Sequence, residues 1–332
     1  QQLHAIGIVA EGSWITLIDP EEDSMTMWVT HHNISKIPKK VFGDDHPNFR
    51  AEIDAWKSKQ ESIKIQMPYD DFVKSSKEIF GIEVVNAPQK PIVYIQHILH
   101  GFGFLGASTY EEISEKDLAI YRRFTKVFEQ TYTRFLDLKK AEAQAREAQI
   151  EAALERVRSR AMAMRKSEEL AEAAELLYGQ LGELGITSWT CGYVFIDEEN
   201  NQAKVWMIEP NGQFFWGLWT VPLYEEKVLK ERHESWRRKE KMHRSVLKGK
   251  DNIAHHQYIV GHSPVTADAA EDFFSRIPVD LVFTSLHFSY GYLMVITEHL
   301  LTEEDDNVLL RFAEVFQLTY TRFLDLQKAE AQ

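Results

Sequence analysis

Thirteen histidines, one cysteine and eight tryptophans are the residues through which this 332-residue chain could do chemistry. His31 with His32, His97 with His100, and His255 with His256 stand closest together. A metal ion needs ligands that converge on one point. Residues three apart on a strand face opposite sides, and neighbours on a helix diverge. The histidines are therefore expected as solvated or hydrogen-bonded surface residues, with no metal site. Cys191 falls in the middle of an expected strand. A thiol cycle that forms and resolves a disulfide needs a second cysteine, so Cys191 reads as a buried structural residue.

The aromatic residues say more. Trp206, Trp216, Trp219 and Trp236 crowd one region, with Tyr193 nearby. An apolar pocket with a few polar groups is where small molecules bind. These five residues are the candidate ligand-binding set, and large aromatics at strand spacing are equally the material of an ordinary core. No cofactor follows from them. No phosphate-binding Gly-x-x-x-x-Gly-Lys, no Gly-x-Ser-x-Gly, no His-Glu-x-x-His and no kinase signature occurs, so no catalytic residue is expected and the segment does not read as an enzyme.

The bulk composition narrows the class. A net charge of −13 argues against neutralising nucleic-acid phosphates. A single cysteine fits a reducing compartment, and no apolar run reaches 18 residues. The expectation is a cytoplasmic protein without membrane insertion.

The elements that must position these residues come in two copies. Residues 122–144 read RRFTKVFEQTYTRFLDLKKAEAQ, and residues 310–332 read LRFAEVFQLTYTRFLDLQKAEAQ; 17 of 23 positions are identical. Gly7-Ile8, Leu17-Ile18-Asp19 and Trp28 match Gly185-Ile186, Phe195-Ile196-Asp197 and Trp206 at a constant offset of 178. Asp54-Ala55-Trp56-Lys57 matches Glu234-Ser235-Trp236-Arg237, and Gly103 matches Gly291. The offset grows by about ten residues, mostly between Trp236 and Asp280. One domain has been duplicated. Gln2-Leu3 matches Gln180-Leu181, so the chain is expected to start in a truncated helix and to end, at 327–332, in the start of a further connector.

In the first copy, residues 14–18, 25–31, 34–42, 62–67, 92–99 and 102–108 have strand character. Pro38 makes the third of these an edge or a bulge. Residues 49–59 and 69–80 read as helices. The second copy repeats this order, with 214–223 as its third strand.

Residues 117–178 contain neither Gly nor Pro and are rich in strong helix formers. The series Leu136, Ala143, Ile150, Val157 and Met164 repeats every seven residues, with Leu154 and Ala161 beside it. An isolated exposed helix has no need of such a series, whereas a parallel dimeric coiled coil does. The expected layout is a first domain at 1–138, a helical connector at 139–166, a second domain at 167–326 and the next connector from 327 to 332. A kink is expected near Ser167.

Each copy ends in a hairpin and an amphipathic exit helix, and the second helix starts at Thr302-Glu303-Glu304-Asp305. This end resembles that of a GAF domain, and the whole resembles the tandem GAF-like repeats of large bacterial sensor proteins. The resemblance implies an α+β fold: two GAF-like domains, each a mainly antiparallel six-stranded sheet flanked by helices, joined by a long signalling helix. It implies a sensory segment of a two-component, histidine-kinase type protein. Such a segment acts as a parallel homodimer, takes a small-molecule ligand and relays to an output domain C-terminal to it. A structural dimerisation array without a ligand is the alternative. The Asn-Lys-Phe-Asp-Glu pattern of cyclic-nucleotide-binding GAF domains is absent, so that ligand is not implied.

Overall fold

A computed structural model of the chain describes residues 10, 12–31, 34–35, 38–84, 90–164, 169–208 and 219–330. Gln2-Leu3, Gly7-Ile8, the expected kink at Ser167, the first part of the strand at 214–223 and the terminal Gln332 lie outside the described residues. The chain divides into two units, residues 1–141 and 142–332.

In the first unit, alternating apolar and polar residues build β1 (Gly12–Asp19) and β2 (Ser24–His31) around a polar turn. The expected third strand is two pieces, β3 (Ile34–Ser35) and β4 (Lys39–Phe42), and both pair with β2. Pro38, between them, has no N–H to give a ladder. Helix α1 (Pro47–Lys57), β5 (Ser62–Pro68), α2 (Tyr69–Phe80), β6 (Ile92–His100) and β7 (Gly103–Thr109) follow. The sheet order is β3-β2-β1-β7-β6-β5, with every pairing antiparallel.

Helix α3 (Glu115–Ala163) is one unbroken element. Ser114 Oγ accepts from Asp117 N at 3.2 Å and caps the helix N-terminus.

The second unit holds α4 (Leu170–Glu183), β8 (Thr190–Asp197), β9 (Gln202–Met207), β10 (Trp219–Pro222) and α5 (Lys227–Arg237). Then come β11 (Met242–Lys248), α6 (Gly249–Gly261), α7 (Ala267–Arg276), β12 (Asp280–Phe288), β13 (Gly291–Thr297) and α8 (Glu303–Glu330). Its sheet order is β10-β9-β8-β13-β12-β11, the same path as in the first unit. The residues added to the second copy form α7. Thr302 Oγ1 accepts from Asp305 N at 3.2 Å, as Ser114 does in the first copy. The chain is thus α+β, with two antiparallel sheets each flanked by helices. Among the described residues no helix is long and apolar enough to cross a membrane.

The second sheet separates two cores by residue parity. On one face Tyr193, Phe195, Trp206, Leu293 and Val295 pack with α4 and α8. On the other, Val194, Val205, Met207, Tyr292 and Met294 pack with α5 and α7.

The series read as a coiled-coil seam has a different partner. Ile150, Leu154, Val157, Ala161 and Met164 are buried in the second unit's own core, beside Leu177, Leu181 and Phe312. Leu136 and Ala143 remain exposed. The expected free connector at 139–166 is corrected accordingly. Its second half is core, because a helix stripe satisfied within its own chain has the same spacing as one that awaits a second chain. Arg311, paired with Glu147 at 2.8 Å and with Glu151 at 2.6 Å, pins this part of α3 to α8.

Candidate functional site

Each unit encloses a cavity between its sheet and the helices that follow the third strand. The two cavities occupy equivalent places. In the first unit Met27, Val29, Phe49, Glu52, Ser75, Ser76 and Ile95 contribute to the walls. In the second, the counterparts Val205, Met207, Leu229, Arg232, His255, His256 and Phe283 do so. Each has a volume of about 80 Å³, several times what one water molecule requires.

The helix that roofs each cavity explains how a charge comes to be inside. In α1, Phe49, Glu52, Ile53 and Trp56 recur at helical spacing and share one face. In α5 the same face carries Leu229, Arg232, His233 and Trp236. The tryptophan anchors the helix: Trp56 Nε1 donates to His100 O, and Trp236 Nε1 donates to Phe288 O. The charged residue four positions earlier is thereby drawn under the helix, against the sheet.

In the first cavity Glu52 is 4% exposed. Its Oε1 lies 3.6 Å from His97 Nδ1, and its Oε2 has no hydrogen-bond partner. Burial pushes the Glu52 carboxyl up to about 8 and holds the His97 imidazole down at about 3. At neutral pH the two are an uncharged acid beside an uncharged imidazole, although their separation alone would suggest an ion pair. Trp14 stands edge-on to His97, with ring centroids 5.6 Å apart. Trp14 Nε1 and Ser108 Oγ, both at the cavity, also lack hydrogen-bond partners. Polar atoms placed in this way suit a ligand that hydrogen-bonds.

In the second cavity the buried group is a cation. Arg232 is 3% exposed, and its Nε and Nη2 have no hydrogen-bond partner. The guanidinium carbon lies 5.7 Å from the Phe283 ring centroid and 5.8 Å from that of Tyr292. His255 Nδ1 is 3.3 Å from Glu226 Oε2, and that carboxylate also caps α5 by accepting from Leu229 N at 2.9 Å. Burial holds the His255 imidazole below its usual range and His256 down at about 4. His256 Nδ1 lies 2.9 Å from the carbonyl of Asn252. A carbonyl only accepts, so Nδ1 carries the proton and Nε2 keeps its lone pair.

Of the five aromatic candidates, Trp219 lines this cavity. Tyr193 and Trp206 lie on the opposite sheet face: Tyr193 stacks on Phe316 with centroids 3.7 Å apart, and Trp206 meets Phe195 edge-on at 5.2 Å. Trp236 holds its helix in place and, with Trp206, borders a separate open groove. Trp216 lies outside the described residues. The five therefore do not converge on one pocket. Alternation along β8 and β9 turns Tyr193 and Trp206 away from Val194 and Val205.

The expectation of surface histidines fails for His97, His100, His233, His255 and His256, which are buried, whereas His262 and His299 are exposed. His97 and His100 do face opposite sides, the first toward Trp14 and Phe104, the second toward Phe128. Among the described residues no group of three or more potential metal ligands converges. Cys191 is buried, and burial raises its thiol far above reactive values.

Sequence reasoning missed Glu52 and Arg232. The signal was available as a charged side chain on an otherwise apolar helix stripe, at the same place in both copies.

Compared with known proteins, the chain matches no family model and no curated relative.

Proposed function

We propose that this chain is a sensory and regulatory segment of a signal-transduction protein, built from two GAF-like ligand-binding domains. The observation that carries this reading is the repeated cavity. Duplication has kept an apolar chamber in the same place twice, each with one buried ionisable side chain at the same helix position. A buried charge that serves packing alone is a cost, and a recurrent one suits recognition.

Helix α3 is the candidate relay. Leu118 and Tyr121 near its start are in the first unit's core, and Ile150 to Ala161 near its end are in the second's. A ligand that favours one packing of either core biases the same helix, which is what coupling between sites requires. In this reading the segment is cytoplasmic and works as a parallel homodimer. It passes its state to a kinase-like output domain that these two units do not themselves contain. The exposed Val127, Phe135, Leu136 and Leu138 on α3 support a dimer contact along that stretch. The alternative, a dimerisation array without a ligand, is favoured by the same exposed stretch but leaves the two chambers unexplained.

Native mass spectrometry of the purified chain tests the reading, with a denaturing run for comparison. The expected result is a dimer carrying a non-covalent small-molecule mass. A monomer at all micromolar concentrations overturns the dimer.

A further inference from the structure

The two cavities occupy equivalent places and differ in the charge of one buried group. Where the first places Glu52, the second places Arg232, each four residues before its anchoring tryptophan. An arginine side chain brings a cation to this position, where burial makes Glu52 of the first unit an uncharged acid. Among the described residues, no carboxylate oxygen lies within the 4.0 Å of an ion pair from its nitrogens. Glu226 accepts from Leu229 N, its Oε2 lies 3.3 Å from His255 Nδ1, and its charge acts on Arg232 from beyond ion-pair distance. The faces of Phe283 and Tyr292, and the Tyr292 hydroxyl, compensate in part. A cation over an aromatic face recovers only part of what burial costs the charge.

The two unpartnered nitrogens identify what is missing. Nε and Nη2 form one edge of the guanidinium fork, the edge that takes a carboxylate side-on through two parallel N–H···O bonds. Most of the described lining is apolar, Trp219, Val205, Met207, Phe273, Met294 and Ile296 among it, with Thr190, His255, His256 and Tyr292 as further polar residues. Among the described residues Arg232 is the one Lys or Arg in this lining, and burial lowers both of its histidines. One positive charge in an apolar chamber matches a singly charged anion, not a phosphate carrying two charges.

We propose that the second unit's cavity binds a small monocarboxylate with a compact apolar or aromatic body, the carboxylate seated on Arg232 Nε and Nη2. The first unit, with an uncharged Glu52 at that position, offers such a ligand no cation to pair with. This assignment rests on the reading of the cavities as ligand sites, and the test below separates the two.

The full chain is titrated with benzoate and hexanoate, and in parallel with benzamide and hexanamide, which match them in shape without the charge. Thermal unfolding of the second unit and quenching of its tryptophan fluorescence are recorded. At least one acid is expected to raise the unfolding midpoint and quench the emission, with its amide at least tenfold weaker. Arg232→Met is expected to remove the response to the acid and to raise the ligand-free midpoint, because the unpaired charge is gone. Glu52→Gln is expected to leave the response intact. If Arg232→Met does not fold, the acid-versus-amide comparison on the unaltered chain still decides.

Amides that bind as well as the acids, or alone, overturn the carboxylate assignment and leave the cavity as a ligand site. An acid response that survives in Arg232→Met overturns Arg232 as its seat. Silence toward both acids overturns the assignment. Silence toward all four compounds, with a native mass spectrum free of bound small molecules, overturns the ligand-site reading as well.

Discussion

Trp56 and Trp236 make the same bond in different copies. Each indole Nε1 donates to a backbone carbonyl at 2.8 Å, Trp56 to His100 and Trp236 to Phe288, the last residues of β6 and β12. The bond fastens the roof helix to the sheet. Trp56→Phe and Trp236→Phe keep the aromatic body and lose the donor, which leaves a carbonyl short of its partner. Each is expected to destabilise its own unit by about 1–2 kcal/mol. Differential scanning calorimetry should show one transition lowered by a few degrees and the other unmoved.

Glu52 and His97 set a pH dependence for the first unit. Glu52 has a raised folded value, about 8 against 4.5. Its contribution to stability is therefore full below 4.5 and is lost as pH rises toward 8. His97 has a depressed value, about 3 against 6.5, so its contribution is full above 6.5 and is lost as pH falls toward 3. Between 4.5 and 6.5 the two slopes oppose each other, and between 6.5 and 8 the Glu52 slope stands alone. Glu52→Gln mimics the protonated acid. Its stability relative to the unaltered chain should grow with pH up to about 8, by at most about 1.4 kcal/mol per unit. Unfolding midpoints measured from pH 5 to 9 check this, and a flat difference would refute the buried neutral acid.

Val157 tests where the helical stripe finds its partner. It is fully buried within the second unit. Val157→Ala should cost about 1–3 kcal/mol through the cavity it leaves, with a shift in midpoint that does not depend on protein concentration. Leu138→Ala, at an exposed site of the same helix, should change the stability of a monomeric preparation by no more than about 0.5 kcal/mol. A concentration-dependent effect at Val157 would restore the intermolecular seam.

Two glycines with positive φ should behave differently. At Gly291, φ is 154° and a Cβ would fall 1.9 Å from the carbonyl oxygen of Val194 on the paired strand. Gly185 has φ of 80° and open space around it. Gly291→Ala should cost about 3 kcal/mol or more, since strand backbone must move, and Gly185→Ala about 1 kcal/mol from conformation alone. Urea unfolding of the second unit's transition compares them directly.

Much of this architecture was readable in the residues themselves. The repeat of residues 122–144 at 310–332 announced two copies, and the strand at 62–67 and the helix at 69–80 stand almost where alternation and periodicity placed them. What could not be read was choice of partner. Ile150, Val157 and Met164 have the spacing of a coiled coil and of a core helix alike, and only the fold brings Leu177 and Phe312 to them. Period-two alternation gives a strand two faces without saying which one a cavity will use, so Tyr193 and Trp219 looked like neighbours. Glu52 and Arg232 were hidden for a third reason: charged residues are read as solvent-facing, and only the anchored tryptophan turns theirs inward.

The placement of Ile150 to Met164 also bears on how this protein can be rearranged, in nature or by hand. The duplicated text and the folding unit are out of step. Residues that read as spacer between two modules already belong to the hydrophobic interior of the second. A recombination joint that falls within this stretch would leave the downstream module without part of its interior and the upstream one with a greasy tail. Joints near residue 141, where the two units part, would preserve both. Lineages that shuffle such modules should therefore carry this helical stretch along with the sheet that follows it, and its residues should drift at the slow pace of a core.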